Sequence, residues 1–181
     1  MRVKGTMAIL PIVIYPHPLL REQALPVETV DTTVQQLIRD MIETVHAAPG
    51  IGLAAPQVGV ARQVIVVDLS VGEDPAALHA LINPEILAAE GLAVEEEGCL
   101  SLPEVRVEVP RATVVTVRGL TPEGEEVILE AEGLLARVFQ HEIDHLHGRL
   151  ILDYLGKAQR DMIKQKLRKR QREAMKQVAQ S

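Results

Sequence analysis

At 181 residues the chain fits one domain and is long enough to bury a real core. Hydrophobic residues make up 47% of it but aromatics only 2%, so that core must be aliphatic, built from Val, Ile, Leu and Ala. One cysteine, Cys99, excludes an internal disulfide and fits a reducing compartment, and the net charge of −6 hides an uneven distribution.

Met1-Arg2-Val3-Lys4 precedes an apolar run from Met7 to Tyr15 that superficially has the form of a secretory signal. Pro11 interrupts the run, Pro16 and Pro18 close it, and no small-residue cleavage site follows, so an opening strand or extended segment is expected. Val34, Leu37, Ile38, Met41, Ile42 and Val45 fall at helical spacing after Asp31 or a neighbouring Thr as cap, and Ala47-Ala48-Pro49-Gly50 ends that helix. The β-branched runs Gln63–Asp68 and Thr113–Val117 read as strands, with weaker strands at Leu78–Ile82 and Glu125–Leu129. A helix from about Gly133 to His147 is expected to bury Leu134, Leu135, Val138 and Phe139 among the strands. A last helix starts near Leu155 and stays amphipathic to about Leu167, beyond which a basic block is expected to fray.

No repeat and no interdomain linker appears, so the expected fold is a single α+β domain: antiparallel or mixed sheets around the helix at 133–147, plus a C-terminal helix. Residues 1–155 would form the catalytic body and 156–181 a basic helical extension of it. From Lys157 onward there are nine Lys or Arg against two acids, Asp161 and Glu173, which leaves ten basic and 23 acidic residues for the body. Such a run is a solvated helix or an electrostatic handle for RNA, and the sequence weighs the two equally. No stretch approaches the length of a membrane span, and neither a membrane nor DNA is expected as a partner.

The chemistry is concentrated in His141-Glu142-Ile143-Asp144-His145. On a helix, i and i+4 side chains share a face, so His141 and His145 can grip one cation. Glu142 lies roughly 100° around the helix, beside the ion, where a base must sit to deprotonate a metal-bound water. HExxH needs a third ligand. The metalloprotease continuation HExxHxxGxxH is followed only to Gly148, because Ile151 occupies the ligand position. The later acids are Asp153, Asp161 and Glu173, the last of them in a strongly basic run. Upstream stands Cys99, between a glycine and an apolar residue, and it is the favoured third ligand over the reading of a small buried hydrophobe.

Three blocks laid side by side give the chain its resemblance: Gly50-Ile51-Gly52-Leu53-Ala54-Ala55-Pro56-Gln57, Glu97-Gly98-Cys99-Leu100-Ser101 and Gln140-His141-Glu142-Ile143-Asp144-His145. In this order they resemble the bacterial peptide deformylases, with similarity from about Ala8 to Tyr154. One departure is His17, where an Asp is common in that family. The resemblance implies a cytoplasmic enzyme that removes the formyl group from the N-terminal formylmethionine of nascent chains and releases formate. It also implies a metal held by Cys99, His141 and His145, with Glu142 as general base and acid. Gln57 (side-chain amide) and Leu100 (backbone N–H) would stabilise the oxyanion. Ile51, Gly52, Glu97 and Gly98 would bind the substrate main chain, Ile51, Leu134 and Val138 would line the methionine pocket, and Arg106 would lie near the peptide entrance. Arg137 would make the pocket rim more polar than in many relatives. Family members carry a C-terminal helix that can dock on the ribosome.

A thiolate with two imidazoles suits Fe²⁺, Zn²⁺, Ni²⁺ or Co²⁺; by resemblance Fe²⁺ is the native ion and Zn²⁺ a common substitute. Asp144 is expected to be structural, paired with Arg111. Ser101 has no free histidine as base. His46, His79 and His147 read as surface or turn residues. Two other readings remain: an HExxH peptidase with an unusual third ligand, and a non-catalytic ribosome-associated protein.

Overall fold

The computed structural model describes residues 7–180, so the expectation for Met1–Lys4 lies outside the described residues. Residues 7–14 form an extended segment without sheet pairing, which settles the choice between strand and extended chain. Its backbone is still used: Val13 N–H donates to the Gln57 carbonyl at 2.8 Å and Tyr15 N–H to the Ser101 carbonyl at 2.9 Å. Helix α1 (Thr32–Ala47) is capped by the Asp31 carboxylate, which accepts from Val34 N–H at 3.0 Å, and it buries Ile38, Met41 and Val45.

Seven strands follow. Strands β1 (Gly52–Ala54), β2 (Val64–Asp68), β3 (Leu78–Glu90), β6 (Val114–Leu120) and β7 (Glu126–Glu132) form one antiparallel sheet in the order β1-β2-β3-β6-β7. Strands β4 (Ala93–Cys99) and β5 (Leu102–Arg111) form a separate antiparallel pair. Helix α2 (Gly133–Leu146) and helix α3 (Lys157–Ala179) complete the molecule. The sheets are antiparallel throughout; among the described residues the one parallel contact is an isolated bridge between Leu25 and Arg62.

The core is aliphatic apart from two rings, Phe139 and Tyr15. Phe139 on α2 is fully buried against Ile65, Val67, Val115 and Val117 on one face of the large sheet. On the other face α1 packs Ile38, Met41 and Val45 over Leu53, Val64, Val66 and Ile82. This two-sided burial explains why β2 reads as a continuous apolar run. A third cluster joins Leu102, Val107 and Val109 of the small sheet to Leu150–Leu152 and to Leu167 of α3. The Gln140 amide staples α2 to the β5–β6 corner by exchanging hydrogen bonds with Ala112 N–H and carbonyl at 3.0 and 2.9 Å.

Several expectations change. Strand β3 runs to Glu90, not Ile82; one register shift absorbs Asn83, at φ 51°, and Pro84, and a second follows between Ile86 and Ala88. Strands β1, β4 and β5 were not expected. Helix α3 continues to Ala179, with no Gly or Pro inside it and i,i+4 pairs at Lys157–Asp161 and Lys169–Glu173. Leu134 is not buried among the strands: it is 53% exposed on the first turn of α2.

Candidate active site

Two elements carry the site. Helix α2 places His141 and His145 on one face, with Nε2 atoms 3.2 Å apart. The end of β4 brings Cys99 to the same point, its Sγ 3.4 Å from His145 Nε2. The ligand atoms of Cys99, His141 and His145 all lie within 4.8 Å of one another. Donors bound tetrahedrally at about 2.0–2.3 Å sit roughly 3.3–3.6 Å apart, so the cluster has the dimensions of three corners around one ion. His141 Nδ1 lies 2.8 Å from Glu97 Oε2, which fixes the tautomer that leaves Nε2 free to ligate. Burial holds His145 well below the ordinary imidazole range, which favours the neutral form a ligand needs. The residues therefore fit a divalent metal.

Glu142 lies beside this cluster, 4% exposed. Burial lifts its pKa to about 7; the charge of His141 and that of Arg111 oppose the rise, while Glu97 and Asp144 add to it. Among the described residues, the buried side-chain atoms lacking a hydrogen-bond partner are Glu142 Oε2 and His145 Nδ1, and both belong to this site. Gln57 is equally buried. Its Oε1 accepts from Ala54 N–H at 2.9 Å, which turns Nε2 towards Cys99 Sγ at 3.6 Å and Ser101 Oγ at 3.2 Å. The short turn at Ala55–Val58 that carries Gln57 is held by the N-terminal segment through Val13.

The cluster lies in an open cleft of about 670 Å³. Gly50, Ile51 and Gly52 line it ahead of and within β1, and Glu96–Leu100 line it from β4. Leu134, Val138, His141 and Glu142 contribute from α2. Both glycines have a steric reason. A Cβ at Gly52 would sit 2.5 Å from Glu142 Oε1 and 2.8 Å from Val138 Cγ1, and one at Gly50 would sit 2.8 Å from Leu100 Cδ1. Arg106 lies over Gly98, its Nη1 2.9 Å from where a Cβ would be.

Every residue assigned to the site from the sequence lines this one cleft except His145, which joins Cys99 and His141 in the donor cluster. The Glu97 carboxylate binds Arg111, Arg137 and His141, partners that the sequence does not reveal. Burial would raise its pKa, but the hydrogen bonds from His141 and Arg111 outweigh that and bring it to about 2. Arg137 lines the cleft yet is only 5% exposed, consumed by ion pairs and carbonyls. Arg111 reaches Asp144 Oδ2 at 2.6 Å and Tyr154 Oη at 2.9 Å, so the expected pair is present and part of a larger network. His46 and His79 are not simple surface residues. His46 Nε2 is 2.7 Å from the buried Asp68, and His79 packs on Phe139 with centroids 5.7 Å apart.

A cysteine sulfur and two imidazoles beside a buried glutamate, in an open cleft of an α+β domain, are the equipment of a metal-dependent hydrolase. Comparison with known proteins narrows the class. The polypeptide deformylase family model matches residues 9–161. The peptide deformylase of Nitrosococcus oceani is 51% identical over 166 residues, covering 92% of this chain and 98% of the relative. Among solved structures, a peptide deformylase from Legionella pneumophila superposes with a TM-score of 0.86 at 42% identity, covering 93% of this chain and 98% of its own. One from Ehrlichia chaffeensis in complex with actinonin gives 0.85 at 38% identity, covering 92% and 99%. The chain belongs to the peptide deformylase family and is an enzyme of that family.

Proposed function

We propose that this chain removes the formyl group from N-terminal formylmethionine of nascent polypeptides, using one divalent metal held by Cys99, His141 and His145. The observation that carries the reading is the convergence of those three donors beside Glu142, a buried carboxylate with a free oxygen. A bound cation at this site supplies an acidified water and polarises the formyl carbonyl. Glu142 takes the proton as water attacks the formyl carbon and delivers it to the departing amine, which releases formate and a free N-terminus. Burial of the Glu142 carboxylate, which favours its protonated form, suits it to hold that proton and give it back. Gln57 Nε2 and the Leu100 backbone N–H donate to the developing oxyanion; the Ala54–Gln57 hydrogen bond holds the amide in its donating orientation without a proton to lose.

The substrate's main chain runs between Ile51–Gly52 and Glu97–Gly98, adding a strand between β1 and β4. Its methionine side chain enters between Ile51, Leu134 and Val138, which line one wall of the cleft. Leu134, exposed without ligand, is the side chain that gains most cover on binding. Arg106 stands at the outer end, where the peptide leaves. Actinonin, present in the Ehrlichia chaffeensis structure, is expected to occupy the same cleft here. The ion is assigned as Fe²⁺ in the cell, with Zn²⁺, Ni²⁺ or Co²⁺ able to replace it.

Residues 1–155 carry the catalysis and 156–181 extend the same domain. The root of α3 is anchored by Ile163 and Leu167, while its outer half exposes Lys169, Arg170, Arg172 and Lys176. We assign that basic surface to docking on the ribosome. Among the described residues no helix is long and apolar enough to cross a membrane.

The test is formate release from a formyl-Met peptide by protein purified anaerobically with Fe²⁺, against an acetyl-Met peptide. Formate from the first, with no cleavage of the second, is the expected result. Cleavage of internal peptide bonds, or no formate from metal-loaded protein, would overturn the proposal.

A further inference from the structure

Glu97 is held from two sides. Its Oε1 accepts from Arg111 Nε at 2.9 Å and from Arg137 Nη1 at 2.8 Å; its Oε2 accepts from Arg111 Nη2 at 3.1 Å and lies 2.8 Å from His141 Nδ1. Arg111 is divided between two carboxylates, since its Nη1 serves Asp144 and Tyr154. Arg137 is committed to the hairpin that carries Cys99. Its Nη1 also donates to the Val109 carbonyl at 2.8 Å and its Nη2 to the Ala93 carbonyl at 2.9 Å, while Nε pairs with Glu95 at 3.3 Å. Positions 137 and 141 are one helical turn apart and share a face of α2. Arg137 and His141 therefore grip one carboxylate from one helix, and that carboxylate stands two residues from Cys99.

We propose that Arg137 is a positioning residue for the metal centre, acting through Glu97 on the orientation of His141. The two backbone carbonyls hold its guanidinium so that Nη1 meets Glu97 Oε1. Glu97 is then fixed at both oxygens and presents Oε2 to His141 Nδ1, which points the opposite ring nitrogen at Cys99 and His145. Arg111 alone, bidentate on Glu97 but shared with Asp144, would leave Oε1 with one donor in place of two and hold the carboxylate less firmly against the imidazole. The proposal rests on Cys99, His141 and His145 being the ligands.

The test uses the full chain loaded with Co²⁺, reading the visible spectrum of the bound ion and its release to excess EDTA. Four proteins are compared: wild type, Arg137→Met, Glu97→Gln and the double variant, with exposed Arg118→Gln as a control expected to match wild type. Arg137→Met should shift the cobalt bands and release metal about tenfold faster or more, as loss of such supporting contacts does elsewhere. Adding Arg137→Met to Glu97→Gln should change the release rate less than about twofold, because both act on one contact. Unchanged bands and release in Arg137→Met, or effects that multiply in the double variant, would overturn the proposal. Wild type that takes up no cobalt would instead overturn the ligand assignment itself, and this inference with it. Should Arg137→Met not fold, Arg137→Lys takes its place in the same cycle under the same criteria, since an ammonium cannot serve both carbonyls and Glu97 as the guanidinium fork does.

Discussion

Gly52→Ala is the sharpest test of how tightly the cleft is built around Glu142. The added methyl would lie 2.5 Å from Glu142 Oε1, 2.8 Å from Val138 Cγ1 and 3.0 Å from Glu142 Cδ, where ordinary contact begins at 3.4 Å. Relief requires the carboxylate, the valine methyl or β1 itself to move by about 1 Å. The strand cannot move cheaply: it is paired with β2 through three registered residues and buried along its whole length. The glutamate is the softer neighbour, since its Oε2 has no partner to hold it. Overpacking of this kind costs about 1–3 kcal/mol of stability. A base misplaced by about 1 Å costs on the order of 10²-fold in rate. Thermal melting and steady-state formate release on a formyl-Met peptide read the two effects separately. The expected result is a kcat reduced about 10²-fold with a modest loss of Tm and metal content unchanged. Activity within about twofold of wild type would mean that Glu142 tolerates displacement, and would refute its assignment as the base.

Other outcomes follow from the same geometry. Glu142→Gln should bind metal at wild-type stoichiometry and lose about 10²–10⁴-fold in kcat, measured on metal-quantified protein, and a rate near wild type would remove the base. Cys99→Asp should retain a metal by elemental analysis but lose most activity; full activity in that variant would displace Cys99 from the ligand set. Phe139→Ala, which empties the largest fully buried side chain on α2, should cost about 3–5 kcal/mol in denaturant unfolding. Burial opposes the charge of Asp68, but hydrogen bonds from Ser70, His46 and Gly72 prevail and bring its pKa down to about 2. Its contribution to stability is therefore full above the ordinary carboxylate value of roughly 3.9 and is lost as pH falls through about 2. Asp68→Asn should flatten the acid limb of the unfolding-midpoint curve between those values, and an unchanged limb would refute the pairing.

The sequence revealed the parts of the molecule with strong local signals. Helix α1 was read from its apolar spacing and Asp31, and β2 from four consecutive β-branched residues, Val64–Val67. The metal cluster was read because HExxH leaves one ligand missing and the chain has a single cysteine. The β4–β5 hairpin escaped notice although Val105, Val107 and Val109 alternate with Glu104, Arg106 and Glu108, the period of a half-buried strand. Pro103 and Pro110 mask that pattern; they are tolerated because a two-stranded pair leaves one side of each strand unpaired. The continuation of α3 was also missed, because a basic block looks frayed when only its charges are considered. The role of the Glu97 side chain was not legible. Its partners Arg111, Arg137 and His141 are 14, 40 and 44 residues away, and only folding brings three cationic or imidazole groups onto one carboxylate.

The account stands on a metal bound by one thiolate and two imidazoles, and X-ray absorption at the metal edge of iron-loaded protein tests that most directly. The account predicts one sulfur scatterer at about 2.3 Å and two imidazole nitrogens at about 2.0–2.1 Å, with the sulfur lost in Cys99→Asp. A first shell of nitrogen and oxygen alone in the wild-type enzyme would contradict it.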